Sequence, residues 1–353
     1  MSAPANGTLP DWFPYIEALL SYSMMTMVVF TLPLYFLEII VLISLRKTTY
    51  KSMFYRIFLV GATVDMIALL NNYLGAIFPA RSWFIEFYLS KGTTLGHIYL
   101  VIAWTTRSIQ GCTVTILALN RATAVVSPIR HKRIWASKWS NLIFVFQLGI
   151  GLIIGSILIP QKFYWKQQDN GYYMQFEDMK FRGRYFMMAY TLDTIFVIII
   201  ICINCSMVFV FKTKYKIKFT QSSSRLNEKA RHESSLSLVS SFTCFVEILY
   251  YVYIVYAFAI NKYINTRVFY LIYNALNDLY GSISAWLIFC FSKSLQNHVL
   301  SIIGCRCFRN KSRRHAATQV RLSSASPMHF ASGSRTTTPK SRIEPREATV
   351  TMF

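Results

Sequence analysis

The chain of 353 residues is 54% hydrophobic and 16% aromatic, carries only 15% charged residues and has a mean hydropathy of +0.37. A water-soluble domain of that length lacks the polar surface to cover so much apolar mass, which excludes an ordinary soluble enzyme or binding module. A formal charge of +22 would point to nucleic acid on a soluble fold, but here the basic residues sit in short clusters between long apolar runs, so no nucleic-acid partner is expected and the pattern is one of membrane topology.

Residues 1–21 hold Asp11 and Glu17 but no Lys or Arg. They lack the basic start and early apolar core of a cleavable signal, so the first span is expected to act as the insertion signal. Asn6-Gly7-Thr8 is a glycosylation acceptor triplet. A membrane crossing takes roughly 20 mostly apolar residues to cover about 30 Å of hydrocarbon. Such runs predict spans at Tyr22–Leu45, Arg56–Pro79, His97–Val126, Trp139–Pro160, Met188–Phe211, Ser234–Ile260 and Arg267–Ser292. Thr105, Thr106, Arg107, Ser108 and Gln110 interrupt the third, and Asn274, Asn277 and Asp278 the seventh. The longest outer connection, Gln161–Met187, mixes charges with aromatics around Tyr172–Phe176 and reads equally as a lid over the bundle or a solvated link. The inner connection Lys212–Glu233 is basic and serine-rich.

Beyond the spans (22–292), Lys293–Phe308 alternates apolar and polar residues, as a short amphipathic helix on the cytoplasmic membrane surface would. Residues 309–353 are dominated by Ser, Thr, Arg and Pro and are expected to form a disordered cytoplasmic tail. Ser323, Ser324, Ser326 and Thr336–Thr338 there either accept phosphate or simply accompany a basic tail that contacts anionic membrane lipid.

Charge decides whether the two weak spans are real. With seven spans, 27 of the 37 Lys and Arg residues fall on one side and 9 on the other, with Arg107 inside the third span. Under the positive-inside bias this places the N-terminus outside, and deleting either weak span would invert every later loop and spoil the asymmetry. The chain is therefore expected to be an all-α membrane protein, a seven-transmembrane-helix bundle. The spans show no internal repeat, which counts against the repeat-built transporters. Cys112, Cys202, Cys205, Cys244 and Cys290 fall within spans and none of the seven cysteines lies in an outer loop, so no extracellular disulfide is expected. Cys305 and Cys307, close to the last span, suit S-palmitoylation, with free thiols as the alternative.

At the inner end of the third span the chain reads Leu119-Asn120-Arg121-Ala122-Thr123-Ala124-Val125-Val126-Ser127-Pro128-Ile129-Arg130-His131. Arg121 ends an apolar helix where its guanidinium reaches backbone carbonyls or a neighbouring helix end, and Pro128 stops that helix. An arginine at a moving helix end makes a two-state contact, held inward when the bundle is closed and released when it opens. The stretch resembles the Asp-Arg-Tyr region of rhodopsin-like receptors, with Asn120 replacing the acid and Ala122 the tyrosine. Asn120-Arg121, Pro128, His131 and Ile134-Trp135, together with Phe54-Tyr55-Arg56-Ile57-Phe58 and Asp65, resemble the nematode serpentine chemoreceptors, most of all the class gamma family, over about residues 20–310. The resemblance implies a chemosensory G-protein-coupled receptor in the plasma membrane of sensory neurons, with a small-molecule chemical cue and a heterotrimeric G protein as partners. The cysteine usual at the outer end of the third helix is absent. Asn277-Asp278-Leu279-Tyr280 matches the Asn-Pro-x-x-Tyr pattern only loosely, so a hinge there falls to other residues such as Gly281.

Charges within spans cost at least about 2.5–3.5 kcal/mol, so they face inward and find partners. They are Glu38, Asp65, Arg107, Asp193, Glu247 and Asp278. Arg107 lies roughly 15 Å down its helix at about 1.5 Å per residue. With Trp104 one turn above, it either holds an acidic or polar ligand or bridges to Glu247 or Asp278. Tyr190 and Asp193 on the fifth span, with Tyr250 and Tyr253 on the sixth, are candidates to line the same outer cavity; the alternative is plain aromatic packing. Asp65, Asn274, Asn277 and Asp278 predict a hydrated polar network that repacks on activation.

Two rival classes are weaker. An intramembrane aspartyl enzyme would pair Asp65 with Asp278, but the Gly-x-Gly-Asp setting is missing. No His/Cys cluster has metal-ligand spacing, and no cofactor is expected. A transporter or ligand-gated channel would want broken helices or a charged pore ring, whereas these spans are mostly uninterrupted.

Overall fold

Backbone groups in hydrocarbon have no water to bond, so apolar runs of this length fold as helices that satisfy themselves. A computed structural model describes residues 10–50, 52–136, 140–168, 171–218, 224–260 and 266–304. Asn6, Cys305, Cys307 and the tail from residue 309 lie outside the described residues. The chain forms α1 (Phe13–Leu45), α2 (Met53–Asn72), a π-helical turn (Tyr73–Ile77), α3 (Phe78–Ala80), α4 (Ile85–Ser90), α5 (Thr94–Val126), α6 (Pro128–Ala136) and α7 (Ser140–Ser156). An antiparallel hairpin of β1 (Phe163–Gln168) and β2 (Gly171–Phe176) follows, then α8 (Met179–Lys218), α9 (Ser224–Ile260), α10 (Thr266–Phe291) and α11 (Lys293–Ile302).

Among the described residues, five segments are long and apolar enough to cross a membrane by length and composition: Phe13–Leu45, Met53–Ala80, Thr94–Val126, Met179–Met207 and Leu236–Ala257. The fourth expected span corresponds to the shorter apolar stretch Asn141–Ser156 in α7, and the seventh is α10, whose middle is polar. Together α1, α2, α5, α7, α8, α9 and α10 form the seven-helix bundle, with α11 as the short helix after the last span. The polar third span sits centrally: α5 packs against α2, α7, α8 and α9, while α10 packs against α9, α1 and α2.

Polarity is inverted relative to a soluble fold. Glu38, Asp65, Asn120, Gln147, Glu247 and Asp278 are buried, while Phe30, Phe36, Val145, Phe146, Ile198, Phe245 and Val252 face outward. In water that apolar surface would drive aggregation; in lipid it is the solvated face. The inward polar residues explain why hydropathy alone reads α5 and α10 as weak.

The outer connection between the fourth and fifth spans takes the lid-like form. Phe163 and Phe176, paired across the hairpin, bury their rings against Ile154, Leu158 and Tyr185. The Trp165 Nε1–H donates to the Gly92 carbonyl at 2.8 Å, and Tyr173 stacks on Tyr270 of α10 at 4.8 Å. Strands were not expected in that segment; the two residues between them in sequence, Asp169 and Asn170, are strong turn formers and are the signal that could have revealed it.

The π-helical turn also has a cause in the sequence. Pro79 has no N–H to give the Gly75 carbonyl, the acceptor four residues earlier, so regular helix bonding fails there. The Phe78 N–H reaches back five residues to the Tyr73 carbonyl instead.

Candidate functional site

Three groups of buried polar or charged side chains run from the inner face to the outer half of the bundle. At the inner end of α5, Arg121 is buried, its Nη2–H donating to Asn120 Oδ1 at 2.9 Å and its Cζ lying 4.3 Å from the centroid of the Phe54 ring on α2. Asn120-Arg121 and Phe54, 66 positions apart, thus form one contact. One turn on, Thr123 Oγ1 accepts the Trp135 Nε1–H at 2.9 Å and lies 3.0 Å from His131 Nδ1, which docks α6 back against α5. Pro128 opens α6 at its first position, where its missing N–H costs nothing. Thr123 was not singled out from sequence because small hydroxyl residues carry no signal until their partners are known.

In the middle of the bundle, Asp65 and Asp278 each accept two side-chain bonds but from different donors. The Tyr35 hydroxyl and Gln110 Nε2 donate to Asp65 at 2.9 and 2.8 Å, and the same Tyr35 hydroxyl lies 2.8 Å from the Gly281 carbonyl. Asn72 Nδ2 and the Tyr73 hydroxyl donate to Asp278 at 3.1 and 2.9 Å. The four residues expected in one network are therefore divided: Asp278 and Asn274 line an outer cleft, Asp65 ties α1, α2 and α5 together, and Asn277 joins neither set of bonds.

Both terminal nitrogens of Arg107 are engaged by protein carboxylates, while its buried Nε has no hydrogen-bond partner among the described residues. Its guanidinium makes a bidentate pair with Glu247 of α9, at 2.6 and 3.2 Å, and reaches Asp193 of α8 at 3.4 Å. Tyr250 and Tyr280 place their ring centroids 4.2 and 5.0 Å from its Cζ. Arg107, Asp193 and Tyr250 thus come together as one cluster linking three helices. Trp104 and Tyr190 belong to an aromatic group beneath the hairpin, Trp104 packing on Tyr185 and Phe186 and Tyr190 on Phe186. Tyr253 points to α10, its hydroxyl donating to the Phe269 carbonyl at 3.0 Å.

None of those six aromatic and charged residues lines the cleft of about 710 Å³, counted out to open solvent, between α1, the outer end of the second span, α10 and the hairpin. That cleft is bordered by Met24, Met25, Arg81, Tyr173, Tyr270 and Asn274 among others. Most of these lie on apolar helix faces or in short loops, where sequence gives no reason to prefer them.

Seven helices around a polar axis, with an arginine caught at the inner end of the central one, define an integral multi-pass membrane protein of the G-protein-coupled receptor class. Residues 24–305 match the family model described as Serpentine type 7TM GPCR chemoreceptor Srv, and the chain belongs to that family. The serpentine assignment expected from Asn120-Arg121 and Pro128 therefore stands, while class gamma is not confirmed by the match. Among curated proteins none matches the chain.

Proposed function

We propose that the chain is a chemosensory receptor in the plasma membrane of sensory neurons that binds an external small-molecule cue and activates a heterotrimeric G protein. Asn120, Arg121, Pro128, His131 and Trp135 form the coupling surface in this reading. The observation that carries it is the buried Arg121 on Asn120 and Phe54, a charged side chain stored at the end of a central helix where a partner could claim it. The cue acts on the outer half, where Trp104, Arg107, Tyr190, Asp193, Tyr250 and Tyr253 link α5, α8 and α9. Asp65, Asn274, Asn277 and Asp278 repack between the two ends.

The mechanism is a population shift. A cue can change the equilibrium only by its differential affinity for the two states, so it must bind better when α9 has moved relative to α5. The Arg107–Glu247 pair spans that interface and sets part of the cost of the movement. The test is cue-driven guanine-nucleotide exchange on G protein in vesicles, with Arg121→Ala alongside. Exchange should vanish in the variant while surface expression holds. A current evoked by the cue without any G protein would instead favour a channel.

A further inference from the structure

Arg81 lies just past α3, at the outer end of the second span, with its Cζ 5.6 Å from the Tyr22 ring centroid and 5.5 Å from that of Trp83. Among the described residues no ion pair uses it, whereas its neighbour in the cleft, Arg267, is paired with Glu17. The two rings contact the guanidinium as cation–π partners and cannot accept its N–H bonds in the way an anion does. The segment that presents it is held in one shape: Ser82 and Phe84 adopt left-handed φ values of 56° and 57°. Non-glycine residues hold that conformation at a cost of order 1–3 kcal/mol, and such strain clusters at ligand sites.

The rest of the cleft mixes apolar residues of α1 and α10 with polar ones such as Ser21, Tyr270 and Asn274. Met24, Met25 and Leu271 supply adaptable hydrocarbon and thioether surface. Asp278 already accepts from Asn72 and Tyr73. A cation without an ion pair among the described residues, sharing a cleft with apolar side chains, is the complement of a molecule with an anionic head and a hydrocarbon body.

We infer that this cleft binds a small amphiphilic organic anion, its head on the Arg81 guanidinium and its body along Met24, Met25 and Leu271. The anion is either a dissolved carboxylic acid or the headgroup of an anionic lipid in the outer leaflet. The inference goes beyond the receptor reading: none of the residues proposed there to meet the cue lines this cleft, and binding here does not depend on signalling.

The test measures binding of octanoate, with methyl octanoate as the uncharged control, to the full chain in discs of pure phosphatidylcholine. Octanoate should bind about tenfold more tightly than the ester, and Arg81→Gln should remove that preference, as expected for loss of one charge-assisted contact. Met24→Trp, which fills part of the cleft, should weaken both ligands. In discs containing phosphatidylglycerol, loss of octanoate binding in the native chain but no change in Arg81→Gln identifies the lipid as occupant; undiminished octanoate binding identifies the dissolved acid. Equal affinity for acid and ester, or an Arg81→Gln protein that is natively assembled and keeps the preference, overturns the inference.

Discussion

Arg107 and Glu247, 140 residues apart, meet through two parallel hydrogen bonds of 3.2 and 2.6 Å in the interior of the bundle. Asp193 adds a third helix at 3.4 Å, so α5, α8 and α9 are joined at one guanidinium. Removing one member of a buried pair strands the others without water. Arg107→Met should therefore destabilise the receptor by about 3–5 kcal/mol, read as a lowered thermal midpoint in detergent. The double variant Arg107→Met with Glu247→Met should recover part of the loss. A double variant no better than the single would show that the charges do not act as a pair.

The inner contact can be tightened rather than broken. Asn120→Asp turns the neutral acceptor of Arg121 into a carboxylate, and a bond to an ionised partner is worth about 1.5–3 kcal/mol. Arg121 should then be held inward more of the time, and basal nucleotide exchange should fall about tenfold. Basal exchange that is unchanged or raised would remove Asn120 as the holder of Arg121.

The hairpin depends on a close approach at one glycine. A Cβ on Gly171 would collide with the carbonyl of Ala80, a backbone group that cannot swing aside. Gly171→Ala should push β2 away from the end of α3 and loosen the Tyr173–Tyr270 stack. Hydrogen exchange over 163–176 should accelerate while the spans keep their protection. Uniform protection across that segment would speak against the contact.

Asp178 caps the start of α8, its Oδ1 accepting from the backbone N–H of Phe181 at 3.0 Å and of Lys180 at 2.8 Å. The bond from Phe181, first of several effects, holds its carboxyl below the usual carboxylate range. A depressed value in the folded chain means the cap stabilises above the ordinary aspartate pKa and is lost as pH falls through the folded one. Asp178→Ala should therefore speed amide exchange in the first turn of α8 at neutral pH. Acidifying the native chain should produce the same fraying, and acidifying the variant should add nothing further there.

The membrane crossings were legible because lipid demands long apolar runs, but their ends were not. The fifth span, expected over Met188–Phe211, belongs to a helix running Met179–Lys218, and the first, expected from Tyr22, begins at Phe13. Hydropathy senses the hydrocarbon slab, whereas helical hydrogen bonding continues into water on both sides. The weak third and seventh spans were recovered only through the placement of Lys and Arg, since their polar residues pair inward and mimic a loop. The Arg107 bridge was one of two readings available from sequence, and choosing Glu247 required knowing which faces of α5 and α9 meet. Arg81 gave no signal: a lone arginine in an outer loop is ordinary until its flanking rings and the cleft beneath it are placed.

The wide turn at Tyr73–Ile77 has a consequence for how that arginine is aimed. One surplus residue in a helix of 3.6 per turn rotates everything downstream by about 100°. Because Pro79 would still lack an N–H, excising a position from that stretch would leave the bonding interrupted, yet it would carry Ile77 and Arg81 around the axis to a different neighbour. The aim of Arg81 is thus geared to a stretch that also holds Tyr73 on Asp278, so re-aiming the cation by insertion or deletion comes with a loss of that contact.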